Sequence, residues 1–533
     1  MSASAIAEPA SDAVEWGRVL ICGGTDWPRL GKKGAKPEGS EDDTPDLLEP
    51  HILRALSNVK STFIASAAHA CHCVVLDIDG VAWLFGRNGS CALGVPSTVD
   101  SISENAPRKL TAQELGVPPQ TKFVYAACGR NHTLLIGSDG TLWSAGANTF
   151  GQCGQPVSPD VPTFKAVSVV SEAGVKEHVV KATAGITFSA ILTDTGKVYT
   201  FGSGEKGQLG NGRTGERIVT GNKVAFDSIS DPVQVDGLDN KKIVQISAGQ
   251  QHCIALESTG LVYVWGYGGY CRLGLGNQAD ELRPKLVPNF AGPNEQLMGA
   301  LVAAGPSNSV VVDRQGMYWM TGKWKNSGEG SSGSPYSSFR YMQDIMACKV
   351  SKASCGGVTH WMLTPDDEAP ESGDAVMTVA WGQNAANGEL GLGPDEPKSA
   401  TKPTKHVPLT GVTVLDIAPG QNTTLFLAKP VGKYADLPRH PMEVGPTPET
   451  CIVCGEDHGE DVDDVLECEK CDAPYHLGCL TPPLDSIPEG EWFCADCEES
   501  PGASVGAASK KLQARSLKRK ADSQGSGPRK KRQ

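Results

Sequence analysis

A chain of 533 residues, 39% hydrophobic and 20% charged, has room for two or three domains or for one large repeat assembly plus something small. It has no apolar run of about 18 residues, and its opening MSASAIAEPASDA lacks a signal-peptide pattern, so a soluble intracellular protein without a membrane partner is expected. The net charge of −13 is unevenly placed: residues 449–499 hold 16 Asp and Glu against Lys470, a net of −15, whereas residues 500–533 hold ten Lys and Arg against Asp522, a net of +9. Partner selection is therefore expected near the C-terminal end.

Residues 1–13 carry no apolar pattern and are expected to be disordered. The segment GRVLICGG (17–24) then reads as a strand with an apolar-glycine exit and no upstream partner. The same exit recurs at Gly23, Gly86, Gly146, Gly202, Gly266, Gly322 and Gly382, spaced by 63, 60, 56, 64, 56 and 60 residues. A first-strand half begins near 67, 127, 184, 248, 304, 355 and 418, and AGQQHCIALESTGLVYVWGYGGYCRLG (248–274) is the least degenerate copy. Self-similarity at this period means a repeat architecture. The chain opens with a second half and closes with a first half, APGQNTTLFLA (418–428), so the two halves should complete one blade and close a ring. The expectation is an all-β fold, a seven-bladed β-propeller over residues 14–430 closed by the N-terminal strand. Loops 97–120, 155–180, 211–242 and 323–342 are the candidate binding loops, and an acidic insertion, PDDEAPESGD, interrupts the sixth copy.

Four copies place a histidine after the first turn: His72, His132, His252 and His360. Partners for a catalytic role would be spread around the ring, so hydrogen bonding between blades is the expected role. No GxxxxGKS/T phosphate loop, GxSxG elbow or HExxH helix occurs, so enzyme chemistry has no visible carrier and no catalytic residue is assigned. Ten cysteines scattered through strand-like runs read as small buried hydrophobes.

GRVLICGGTDWPRLGKK, ACGRNHTLL, WGYGGYCRLG with the following DELRPKLV, and GELGLGPDEPKSAT resemble the regulator of chromosome condensation propellers, most of all their second type. That resemblance implies association with chromatin and a small GTPase as partner. It also raises guanine nucleotide exchange on a Ran- or Rho-family GTPase as an alternative function, one that needs no covalent chemistry.

Residues 431–448, within KPVGKYADLPRHPMEVGPTP, are proline-rich and read as a linker. About 20 such residues would reach roughly 60 Å at about 3.1 Å each and let the next module sample one face of the ring.

That module, 449–499, has the ligand order Cys451-x2-Cys454, Cys468-x2-Cys471, His476-x2-Cys479 and Cys494-x2-Cys497. Eight thiol and imidazole ligands imply two tetrahedral zinc ions, structural because no position stays open for a catalytic water. With Trp492 two residues before Cys494 and the run CLTPPLDSIPEGEW, the module resembles a plant homeodomain (PHD) finger. The resemblance assigns Cys451, Cys454, His476 and Cys479 to one zinc and Cys468, Cys471, Cys494 and Cys497 to the other. A RING shares the ligand order, which keeps a ubiquitin ligase as a second alternative.

PHD fingers bind the histone H3 N-terminal tail as an added strand, here beside 461–467. Of its three aromatics, Tyr475, Trp492 and Phe493, the resemblance places Tyr475 and Trp492 in the small core, and the position of a trimethyl-lysine cage residue two before the histidine is Pro474. The finger offers instead Asp461, Asp463, Asp464, Glu467, Glu469 and Asp472, which suit an unmodified lysine or an arginine. The resemblance places Glu469 and Asp472 at the guanidinium of the tail's first arginine. The competing reading is a solvated acidic face.

Residues 500–533 are expected to be a disordered basic tail. Lys510, Lys511, Lys518, Arg519 and Lys520, and then Arg529, Lys530, Lys531 and Arg532, read as nuclear localisation signals, with salt-sensitive DNA contact as a second use. The sequence thus describes a monomeric nuclear adaptor whose ring binds a protein and whose finger reads histone H3 with its first lysine unmodified.

Overall fold

The computed structural model describes residues 14–32, 44–221, 223–324, 334–366, 376–444, 450–456, 465–488 and 490–502. Each repeat folds into an antiparallel sheet with neighbouring strands in chain order, and the innermost strands of adjacent sheets touch all the way round. The result is the expected seven-bladed β-propeller. In the first blade the outer strand is split, so Ser101–Ile102 and Arg108–Leu110 both pair with Ala82–Arg87.

The repeating glycine has a physical cause. Gly86, Gly146, Gly202 and Gly266 have φ of 110°, 116°, 112° and 100°, which residues with a Cβ rarely adopt. In Ser144/Gly146 and Thr200/Gly202 the register to the outer strand slips by a residue, which marks a bulge. A Cβ at Gly146 would also lie 2.4 Å from the Asn131 carbonyl of the facing strand.

Large apolar residues fill the seams between blades. Trp143 packs with Leu84 between the first and second, and Trp265 with Val198 between the third and fourth. Burying such a side chain contributes about 1.5–3 kcal/mol. Of the ten scattered cysteines nine are buried and all ten are free thiols; burial pushes the Cys73 and Cys355 thiols up to about 12.

The closing blade has the strand order Val414–Pro419, Thr423–Ala428, Arg18–Gly23, Leu47–Leu53 and Arg439–His440. Arg18 faces Ala428 and Gly23 faces Thr423, so the chain ends are joined along a full strand pair.

The fifth strand of that blade corrects the expectation of a linker over 431–448. Arg439–His440 runs parallel to Ile52 and Leu53. Before it, a short 3-10 helix, Gly432–Asp436, buries Tyr434, and Leu437 is buried as well. His440 Nε2 lies 2.7 Å from Glu104 Oε1, both nearly inaccessible, and the Trp27 indole donates to Glu104 Oε2 at 2.6 Å. Tyr434 and Leu437 join the core shared by the sixth and closing blades, Val444 packs on Ala55, and Val431 and Met442 stay exposed, so no strand or helix period is visible in its sequence. Residues 445–449 lie outside the described residues. Among the described residues no helix is long and apolar enough to cross a membrane.

Candidate metal centre and the docked finger

Strands Val465–Glu467 and Pro474–His476 pair antiparallel, and the turn between them carries Cys468 and Cys471. The turn is closed by Asp472 N–H donating to the Cys468 carbonyl at 2.9 Å, with Asp472 at φ 53°. A single helical turn, Ala495–Glu499, follows Cys494 and carries Cys497.

This folding gathers the eight ligands into two groups: Cys451, Cys454, His476 and Cys479, and Cys468, Cys471, Cys494 and Cys497. Within each group the ligand atoms lie within 4.8 Å of one another. His476 presents Nδ1, 3.4 Å from Cys454 Sγ and 3.9 Å from Cys479 Sγ. The backbone N–H of Cys494 donates to Cys468 Sγ at 3.3 Å and that of His476 to Cys451 Sγ at 3.4 Å, contacts that favour thiolates over thiols. Sulfur and imidazole donors in closed sets of four are compatible with zinc.

The finger is not free of the ring. Because strand direction alternates, the starts of the third strands and the ends of the outer strands lie on one face of the propeller, and it is there, on the closing blade, that the finger sits. Arg18 Nε pairs with Glu491 Oε2 at 2.9 Å, and its guanidinium carbon lies 5.6 Å from the centre of the Phe493 ring. Arg54 Nη1 pairs with Asp472 Oδ1 at 2.6 Å, while its Nε and Nη2 donate to the carbonyls of Pro441 and Met442 at 2.8 and 3.2 Å. Arg439, on the strap, pairs with Glu469. In the other direction Lys470, 1% exposed, donates to the Ala55 carbonyl and to Asn58 Oδ1, each at 3.0 Å. Asn58 Nδ2 donates to the Cys497 carbonyl at 2.6 Å.

A family model described as RCC1-like domain matches residues 18–429. The chain belongs to the RCC1-like domain family. Behind the RCC1-like ring, a PHD-finger model matches residues 451–497, which takes the RING reading away. The RCC1-like chain is similar to Protein RCC2 homolog of Danio rerio, 30% identical over 433 residues, covering 78% of this chain and 80% of that protein. It is also similar to human Protein RCC2, 29% identical over 427 residues, covering 78% and 76%. Among solved structures, Prp20p of Saccharomyces cerevisiae shares the fold with a TM-score of 0.60 at 18% identity, covering 80% of this chain and 95% of that one. That structure is described together with the binding of Prp20p to Gsp1p and histones.

The residues expected to meet a histone tail divide three ways. Asp461, Asp463 and Asp464 lie outside the described residues, as do the basic clusters from Lys510 to Arg532. Glu467 is exposed on its strand. Glu469 and Asp472 already hold ring and strap arginines. The aromatics are committed too: Tyr475 and Trp492 meet edge to face at 5.3 Å, and Phe493 lies against Arg18.

Of the candidate loops, 97–120 holds the strap through Glu104, and 325–333 lies outside the described residues. Loop 211–242 projects a hairpin, Arg217–Val219 with Lys223–Ala225, whose opposed Ile218 and Val224 are 77% and 50% exposed. The clamp residues Arg18, Arg54, Arg439 and Glu491 escape a reading of the sequence. Their one signal is that Arg18 and Arg54 flank strands of otherwise apolar character, GRVLICGG and HILRAL.

Proposed function

We propose that the chain is a nuclear, chromatin-associated adaptor: the ring binds a protein partner, a small GTPase, and the finger binds the N-terminal tail of histone H3 with its first lysine unmodified. The observation that carries the finger's part is the strand Val465–Glu467, which pairs with Pro474–His476 on one side and, among the described residues, with no other strand. An open edge beside carboxylates takes a basic peptide as a third strand. The commitment of Tyr475, Trp492 and Phe493 to packing leaves no aromatic cage among the described residues, in keeping with an unmodified lysine. Two zinc ions, one per group of four ligands, supply folding energy that a module of about 50 residues cannot draw from its own core. The tail's basic clusters supply nuclear import.

For the ring, the exposed Ile218 and Val224 on the projecting hairpin are the feature that suits a protein partner. The description of Prp20p, which names both Gsp1p and histones, favours a GTPase as that partner and keeps nucleotide exchange as the second reading. Pull-down from nuclear extract with the full chain and with Ile218→Asp/Val224→Asp tests the ring. A GTPase captured by the first and lost from the second supports the reading, and equal capture rejects the hairpin as the contact. Nucleotide release by the captured GTPase then separates exchange from adaptor binding.

A further inference from the structure

The two carboxylates read above as acceptors for a tail arginine, Glu469 and Asp472, are each bound by an arginine of this same chain. We propose that the ring occupies the finger's guanidinium site in cis, so that a histone tail binds only by displacing the strap's Arg439. This inference rests on the tail-reading function proposed for the finger and adds its regulation.

The three pairs differ in how they could open. Arg18 and Arg54 have side chains only 7% and 6% exposed, and Arg54 is held by strap carbonyls as well as by Asp472, so these two are anchors. Arg439 and Glu469 are 28% and 32% exposed, which makes theirs the outer pair. A cavity of about 600 Å³ lies beside it, lined by Ile52, Tyr434, Arg439, Glu469, Gly490 and Glu491. A competing side chain could therefore approach Glu469 without first separating the finger from the ring.

The competition is intramolecular. A tethered arginine acts at an effective concentration in the millimolar range, well above that of a peptide in solution. A site closed nine or ten times as often as it is open loses about tenfold in apparent affinity. Linkage makes the effect reciprocal, so a bound tail must loosen the strap. Because the strap is also tied to the first blade through His440 and Glu104, tail binding and the state of that loop are coupled.

The test uses the full-length chain, a synthetic peptide of the unmodified H3 N-terminus, and the variants Arg439→Gln and Arg54→Gln. Arg439→Gln is the decisive one, because its side chain is partly exposed and its loss should not unfold the ring, whereas Arg54→Gln could. The expected result is peptide affinity about tenfold higher in Arg439→Gln than in the wild type, together with faster hydrogen exchange over 431–444 when peptide is added to the wild type. Peptide binding of equal or lower affinity in Arg439→Gln would overturn the cis occupancy while leaving the finger a tail reader. No binding to either protein, with exchange showing the strap released in the variant, would remove the tail-reading function and the competition with it.

Discussion

His132 and Ser189 join two blades: the imidazole Nε2 lies 2.9 Å from the hydroxyl, which donates its own proton to the Gln152 carbonyl at 2.7 Å. A hydroxyl already donating must accept from the ring, so Nε2 carries the proton. The relation repeats with His72 and Thr133 and with His252 and Ser309, at 2.9 and 3.0 Å. His360 differs, meeting Asn308 of the preceding blade at 3.2 Å and stacking on Trp381. Replacing Ser189 by Ala leaves a buried N–H without an acceptor, which costs about 1–3 kcal/mol. Calorimetric melting of the full chain should show that loss with peptide binding unchanged.

These histidines also set the acid limit of the ring. Burial holds His72 down to about 4 and His132 and His360 down to about 3. An imidazole depressed from its ordinary value of about 6.5 contributes stability above that value and loses it as pH falls toward the folded one. Glu104 adds to the same limb at lower pH. Burial pushes its carboxyl up, but the hydrogen bond and charge of His440 and the Trp27 indole outweigh this and leave it below the ordinary carboxylate range. The melting temperature should fall as pH drops below about 6.5, and Glu104→Gln should flatten the part of the fall below about 4.3.

Glu389 works in the opposite sense. Burial is the main cause that raises its carboxyl to about 7, although the Asn387 N–H donates to it at 3.0 Å. A raised folded value means stability that is full below about 4.3 and lost as pH rises through about 7. Glu389→Gln should therefore melt higher than the wild type at pH 8 and match it near pH 4.

Removal of zinc tests the coupling between finger and ring. Cys468→Ser, or a chelator, should unfold the finger. Because Arg18 and Arg54 would then lose Glu491 and Asp472 and become solvated, the closing blade should lose the stability those charge-assisted hydrogen bonds supply, about 1.5–3 kcal/mol each. Two transitions are expected, with the ring's own melting lowered; an unaltered ring transition would show that the finger's docking contributes nothing to it.

The ring was legible in the sequence because its signal repeats. Gly86, Gly146, Gly202 and Gly266 each stand where only glycine's φ fits, and the half repeats at the two ends mark the closure. The ligand groups were legible because Cys-x2-Cys spacing places two sulfurs on one turn, while their interleaving came from the family resemblance. The strap and clamp were not. Arg18 and Glu491 meet across 473 residues and Arg54 and Asp472 across 418, and a single arginine or glutamate carries no period that would point to its partner. Tyr434, Leu437 and Val444 are spaced like linker residues because the first two join the core of the closing blade while the third packs on Ala55, with no single strand or helix face to set a period.

The acidic finger is proposed to read an unmodified histone tail. Calorimetric titration of the full-length chain with two synthetic H3 N-terminal peptides, one with its first lysine unmodified and one trimethylated, tests it most directly. The unmodified peptide should bind measurably and the trimethylated one more weakly; equal or tighter binding of the trimethylated peptide would contradict this role.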